Sequence, residues 1–352
     1  MQRRIHQETR VTRKGCIGIA TALTCMLGMA ACSAASPADE AHADAGTVPA
    51  PVRGSASATG GQRGNGQPYE VVGSEVWDVP DPASGRTYQV FVALPAGYAE
   101  APARRYPVLY VTDADYAFPL VRQMARRLNG EGPAIEDFIL VGLSYALGDD
   151  GMTSRRRDYT PTARGPSGAP ADQAHGQSAA YITYLRDQVI PFVASRYRSD
   201  EGRRLFLGHS YGGLLGTQIL LEQPTLFAGY ILGSPSYWFD KQYVLRQEHA
   251  QARTRTQLPA QVYMYVGERE ARTHGAQVDM VADAQAMARS LQGPAGRPTA
   301  GLQLRLDVLA EEDHLSVAPR GFMLGLKQLL GVGTTAPVSA GAAAAPAGPA
   351  PR

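Results

Sequence analysis

Gly208-His209-Ser210-Tyr211-Gly212 sets a hydroxyl nucleophile between two glycines. In front of it, Arg204-Leu205-Phe206-Leu207 carries a short apolar run, the pattern of a buried strand. Behind it, Gly213 to Glu222 reads as a helix that ends near Pro224. Strand, sharp turn, serine, helix is the context of a nucleophile elbow. The turn forces unusual backbone angles on the serine, and the glycines remove Cβ atoms that would collide there. Ser210 Oγ then stands at the N-terminus of the following helix, where developing negative charge is favoured. The competing reading is an ordinary Gly-rich strand–helix turn without chemistry.

A serine hydroxyl is a weak nucleophile until a base takes its proton, and the base needs an acid to orient it. An elbow predicts the chain order serine, acid, histidine. His314, in Glu311-Glu312-Asp313-His314 after the last expected strand, fits the base; otherwise it is an exposed loop histidine. His274 precedes the helix expected from Val278 and comes too early. For the acid, Gly267-Glu268-Arg269-Glu270 follows the expected strand Gln261 to Val266. Hydrolases of this design often place an aspartate three residues after that glycine; Glu270 fills the place, and Glu268 is close enough to compete. The oxyanion hole needs two backbone N–H groups. Tyr211, directly after the nucleophile, supplies one; the second belongs to the loop Thr112-Asp113-Ala114-Asp115, with Ala114 and Asp115 favoured.

The elements that must position these groups form an α/β pattern. Val71 to Val79 and Thr87 to Leu94 alternate apolar and polar residues around Asp81-Pro82 and Gly85, as a hairpin does. Val108 to Val111, Phe138 to Leu143, Gly229 to Leu232, Gln261 to Val266 and Leu302 to Leu309 read as further strands. Helices are expected over Phe118 to Leu128, Ser178 to Tyr197 with a kink at Pro191, Val278 to Leu291 and Ser316 to Leu330. The sum is a mostly parallel central sheet with helices on both faces and an N-terminal antiparallel hairpin. Ligands of such sheets bind at the carboxyl ends of the strands.

Four segments divide the 352 residues: 1–32, 33–66, 67–330 and 331–352. Arg10, Arg13 and Lys14 precede an apolar run from Cys16 to Ala31, an export signal too short for a stable span. The run ends in Met29-Ala30-Ala31-Cys32, which resembles a bacterial lipobox with Cys32 as the lipidated residue; Met29 departs from the usual leucine. A plain secretory signal is the alternative, and both readings export the chain. By the same resemblance, Ser33 after the cysteine does not signal inner-membrane retention, so a lipoprotein of the periplasmic envelope is expected. Residues 33–66 and 331–352, rich in Ala, Gly, Ser and Pro, read as a disordered tether and tail. All three cysteines lie in the signal, so the domain has no disulfide, thiol nucleophile or cysteine metal site. A net charge of +2 gives no sign of nucleic-acid binding.

Gly208 to Gly213 resembles the esterase D branch of the α/β hydrolases, which includes S-formylglutathione hydrolase, feruloyl esterases, mycolyltransferases and siderophore trilactone esterases. Four stretches are similar to the enterobactin, salmochelin and bacillibactin esterase group in particular. They are Arg155-Arg156-Arg157-Asp158-Tyr159-Thr160-Pro161, Ser234-Pro235-Ser236-Tyr237-Trp238, Gly267 to Glu270, and Glu312-Asp313-His314-Leu315-Ser316-Val317. Together they span nearly the whole 67–330 segment. Ala114 departs from the glycine common at its position and is expected to narrow the approach to the oxyanion loop.

The resemblance implies an α/β-hydrolase fold and a serine carboxylic-ester hydrolase that works through an acyl-enzyme without metal or cofactor. It further implies a small ester substrate, a catecholate siderophore trilactone, iron-free or ferric. Arg155 and Arg157 then suit an anionic ferric catecholate, although Arg157-Asp158 also reads as an internal ion pair. Trp238 and Phe239 read either as a wall of the acyl pocket or as packing. The open alternatives are an exported esterase for acetylated or feruloylated carbohydrate, an acyltransferase, and a non-catalytic binding protein on the same fold.

Overall fold

The computed structural model describes residues 62–333, apart from 167, 295 and 296. The expected export signal with Cys16, Cys25 and Cys32, the expected tether up to residue 61 and the expected tail from 334 lie outside the described residues. Residues 62–66 of the expected tether fall inside, where Gln62 exchanges hydrogen bonds with the Glu70 backbone.

Eight strands form one sheet in the order β1-β2-β4-β3-β5-β6-β7-β8. β1 (Ser74–Asp81) and β2 (Arg86–Ala93) make the expected hairpin, and β2 also runs antiparallel to β4 (Ile139–Ala146). β3 (Tyr106–Thr112), β5 (Ser199–His209), β6 (Gly229–Gly233), β7 (Gln257–Gly267) and β8 (Ala300–Leu309) complete the parallel part. The inner strands are apolar throughout because both faces are covered. Val108 and Tyr110 of β3 enter one core, with Leu214, Ile219 and Met287. Leu109 and Val111 enter the other, with Phe118, Val121, Phe322 and Leu326. The helices α5 (Tyr211–Glu222) and α7 (Met280–Gln292) therefore cover one face, and α1 (Ala114–Leu128) and α8 (Val317–Leu330) the other.

Two helices escape a reading by periodicity. α2 (Gly151–Asp158) holds three consecutive arginines and has no apolar stripe; its N-cap Asp150 accepts from Thr153 N–H at 2.9 Å. α6 (Phe239–Gln251) opens with Asp240, Lys241 and Gln242 at φ 41°, 55° and 62°, a left-handed turn that side chains disfavour. The turn is held by Thr162 Oγ1 donating to Asp240 and by Gln242 donating to Asp283. The long helix expected from Ser178 is α3 (Ser178–Tyr184), a π turn (Leu185–Val189) and α4 (Ile190–Arg196). The wider turn ends at Val189, two residues before Pro191, which lacks the N–H that an unbroken ladder needs.

Candidate active site

β5 ends at His209 and α5 begins at Tyr211, leaving Ser210 alone in the turn at φ 60° and ψ −118°. That strained conformation is fixed by close backbone approach. A Cβ on Gly208 would sit 2.2 Å from the Gly212 carbonyl oxygen, and one on Gly212 would sit 2.3 Å from Thr112 Oγ1. Ser210 N–H donates to the Gly233 carbonyl at 2.9 Å, tying the turn to the end of β6.

Two loops at the same end of the sheet bring the partners in. His314 Nε2 lies 3.0 Å from Ser210 Oγ. Its Nδ1 lies 2.6 Å from Glu270 Oε2. Glu270 is 4% exposed, and Ser234 Oγ (2.6 Å) and Gly267 N–H (2.8 Å) both donate to its Oε1. Burial pushes the Glu270 carboxyl up, but the hydrogen bonds from His314, Ser234 and Gly267 outweigh it and hold the group below the usual carboxylate range. As a carboxylate, Glu270 accepts the Nδ1 proton of His314, which leaves Nε2 free to accept from Ser210 Oγ–H. Glu268 points elsewhere. Its Oε2 accepts from Glu311 N–H at 3.0 Å and so holds the His314 loop, where Glu311 sits at φ 67°. His274 is exposed in the short turn Arg272–His274.

Sequence reasoning misses His209, Ser234 and Ser236, although all three lie inside the motifs named above. His209 is buried, with Nε2 at 2.9 Å from the His314 carbonyl and Nδ1 at 3.2 Å from Tyr265 Oη. The carbonyl can only accept, so Nε2 carries the proton and Tyr265 donates to Nδ1. Burial, with the neighbouring His314 next, lowers the His209 pKa from 6.5 to about 3. The unfolded chain therefore binds a proton that the folded chain refuses, and stability falls as pH drops from 6.5 toward about 3. Well inside that window the slope is about 1.4 kcal/mol per pH unit from this residue. Urea midpoints measured against pH should show a shallower decline for His209→Gln than for the wild type; equal slopes would contradict the assignment.

The loop expected to complete the oxyanion hole is the first turn of α1. Asp113 caps the helix in a left-handed conformation (φ 56°, ψ 50°), and the amides of Ala114 and Asp115 precede the intrahelical ladder. The Ala114 methyl does not narrow the approach as expected. It is fully buried and faces Gly142, where a Cβ would come within 2.9 Å of it. Asp115 is exposed and accepts from Ser144 Oγ at 2.8 Å.

Two of the three arginines in the cluster are held by internal carboxylates. Arg157, expected to meet substrate, is buried between Asp158 (2.7 Å) and Asp149 (2.5 Å). Asp158 also accepts from Tyr88 Oη at 3.1 Å. Removing Arg157 would strand the buried Asp158 carboxylate, so Arg157→Ala should cost about 3–5 kcal/mol in chemical denaturation; a higher KM with unchanged stability would restore a substrate role. Arg155 also has an internal partner: its Nε donates to Asp113 Oδ1 at 2.9 Å beside Tyr145 Oη at 3.0 Å, and its guanidinium lies 5.5 Å from the Tyr211 ring centre. It braces the turn between β3 and α1. Burial raises the Asp113 carboxyl pKa, and Arg155 opposes that shift. Of the three arginines, only Arg156 has a guanidinium without a hydrogen-bond or ion-pair partner among the described residues. Trp238 is half-buried beside Tyr211, ring centres 6.1 Å apart, whereas Phe239 is 1% exposed and serves packing. A groove of about 780 Å³ beside Tyr69, Tyr98, Arg122 and Phe138 lies near the start of β4 and includes none of these groups.

The model of a family described as "Putative esterase" matches residues 82–295. The ferri-bacillibactin esterase BesA of Bacillus subtilis is 29% identical over 218 residues, covering 59% of this chain and 74% of that protein. The siderophore enterobactin esterase of Emericella nidulans is 28% identical over 193 residues, covering 51% and 63%. An IroE-like serine hydrolase from Shewanella oneidensis superposes with a TM-score of 0.63 at 26% identity, covering 73% of this chain and 80% of that one. The BES protein of Bacillus cereus shares the fold, with a TM-score of 0.63 at 24% identity over 77% of this chain and all of that one.

Proposed function

The chain belongs to the putative esterase family, and from that membership we propose that this carboxylic-ester hydrolase opens siderophore trilactones through an acyl-enzyme on Ser210. The observation that carries the mechanism is the continuous line from Glu270 through His314 to Ser210, with contacts of 2.6 and 3.0 Å. Ser210 Oγ attacks the ester carbonyl while its proton passes to His314 Nε2. Glu270 steadies the imidazolium, and the amides of Tyr211 and the Ala114–Asp115 turn receive the oxyanion. The imidazolium then protonates the leaving alkoxide. Water enters, loses a proton to the same nitrogen, and releases the acid and Ser210.

The siderophore esterases among the relatives support the substrate class. Arg156 adds a physical reason. It is half-buried on α2, and its charge reaches the Tyr211 hydroxyl, where with Arg155 it opposes the rise caused by burial. An unpaired guanidinium there suits an anionic catecholate. On this reading Cys32 is lipidated and tethers the enzyme in the envelope; fatty-acid labelling of the wild type but not of Cys32→Ala tests the anchor.

The test of function is turnover of enterobactin, iron-free and ferric, by the full chain, beside a neutral nitrophenyl ester. Release of linear trimer or monomer is expected, and Arg156→Gln should raise KM for the ferric ligand about tenfold while sparing the nitrophenyl ester. Nitrophenyl turnover with an untouched trilactone would redirect the substrate to carbohydrate or other esters.

A further inference from the structure

Ser236 brings a second hydroxyl to the nucleophile. Its Oγ lies 3.3 Å from Ser210 Oγ, and its N–H donates to the Ser210 carbonyl at 3.2 Å. The residue is 1% exposed, and among the described residues its hydroxyl has no other hydrogen-bond partner. The direction of the contact follows from the groups around it. Glu270 is ionised, so His314 Nδ1 carries a proton and Nε2 is an acceptor. The single proton of Ser210 is thereby committed to Nε2. The donor across the 3.3 Å contact is Ser236.

Resting on the serine-nucleophile reading above, we propose that Ser236 is a further catalytic residue, which aims and steadies Ser210 Oγ. An sp³ oxygen bonded to Cβ has one hydrogen and two lone pairs. The hydrogen is spent on His314 and one lone pair on Ser236, so the remaining lone pair faces the incoming carbonyl. When Oγ forms its bond to the acyl carbon, its proton moves to His314 Nε2 and Ser236 keeps its own. When the second tetrahedral intermediate collapses, the Oγ–carbon bond breaks, Oγ takes the proton back from His314, and the Ser236 donor stabilises the departing oxygen. Attack and departure pass through the same contact, so both half-reactions gain from it.

The test uses the full chain with a fluorophosphonate, which labels the nucleophile without a deacylation step, and a nitrophenyl ester. Ser236→Ala should lower both the labelling rate and kcat about tenfold with KM unchanged, the scale of one hydrogen bond that strengthens as charge develops on Ser210 Oγ. Ser236→Thr, which keeps the hydroxyl, should recover most of the loss. Wild-type rates in Ser236→Ala would overturn the proposal while leaving the nucleophile intact. Equal losses in both variants accompanied by a lowered Tm would also overturn it, in favour of a packing role. Absence of Ser210 labelling in the wild type would remove both this inference and the reading beneath it.

Discussion

Ser210→Ala should lower kcat for ester hydrolysis on the order of 10⁴- to 10⁶-fold, with substrate still bound. Its hydroxyl is the one placed 3.0 Å from His314 Nε2, in a backbone conformation that only the surrounding close contacts hold. Ser236, whose hydroxyl is 3.3 Å from Ser210 Oγ, makes no hydrogen bond to the imidazole among the described residues. The residual rate should reflect the oxyanion amides and binding alone. His314→Ala should fall nearly as far, and the double variant should fall no further than either single one, since the two act as a unit. Steady-state kinetics on a nitrophenyl ester measure all three. Additive losses would mean that the residues act separately.

The second large effect distinguishes the two glutamates. Glu270→Gln should cost about 10³- to 10⁴-fold in kcat. A glutamine can turn an N–H toward His314 Nδ1, which stabilises the tautomer with the proton on Nε2 and removes the acceptor that Ser210 needs. It also removes the charge that steadies the imidazolium. Glu268→Gln should change kcat by less than about threefold, because the amide oxygen can still accept from Glu311 N–H. The opposite ranking would assign the acid to Glu268.

These residues show what a one-dimensional reading could reach. The elbow was legible because its constraint is local: glycines at 208 and 212 answer contacts made within a single turn and with the adjacent β3. The parallel sheet was legible because strands covered on both faces lose their alternation. The acid was only half legible. Glu268 and Glu270 are two residues apart, and the tight turn Glu268–Glu270 decides which carboxylate faces His314. The arginines were not legible as to role. Arg155 finds Asp113 across 42 residues of sequence, which no spacing announces. Arg157 has an adjacent partner, Asp158, but its burial depends on α2, a helix without an apolar stripe. Arg156, the residue between them, shares neither of these partners. His209 stood in the motif, and only the fold shows that it holds the His314 carbonyl.

The proposed mechanism stands on a covalent acyl-Ser210 intermediate, which rapid quenching followed by peptide mass spectrometry would capture. The full chain is mixed with a slow ester, quenched in acid during the first turnover and digested. An acyl mass is expected on the peptide that contains Ser210, absent from Ser210→Ala and removed on longer incubation. Turnover without an adduct on that peptide, or an adduct that persists in Ser210→Ala, would contradict it.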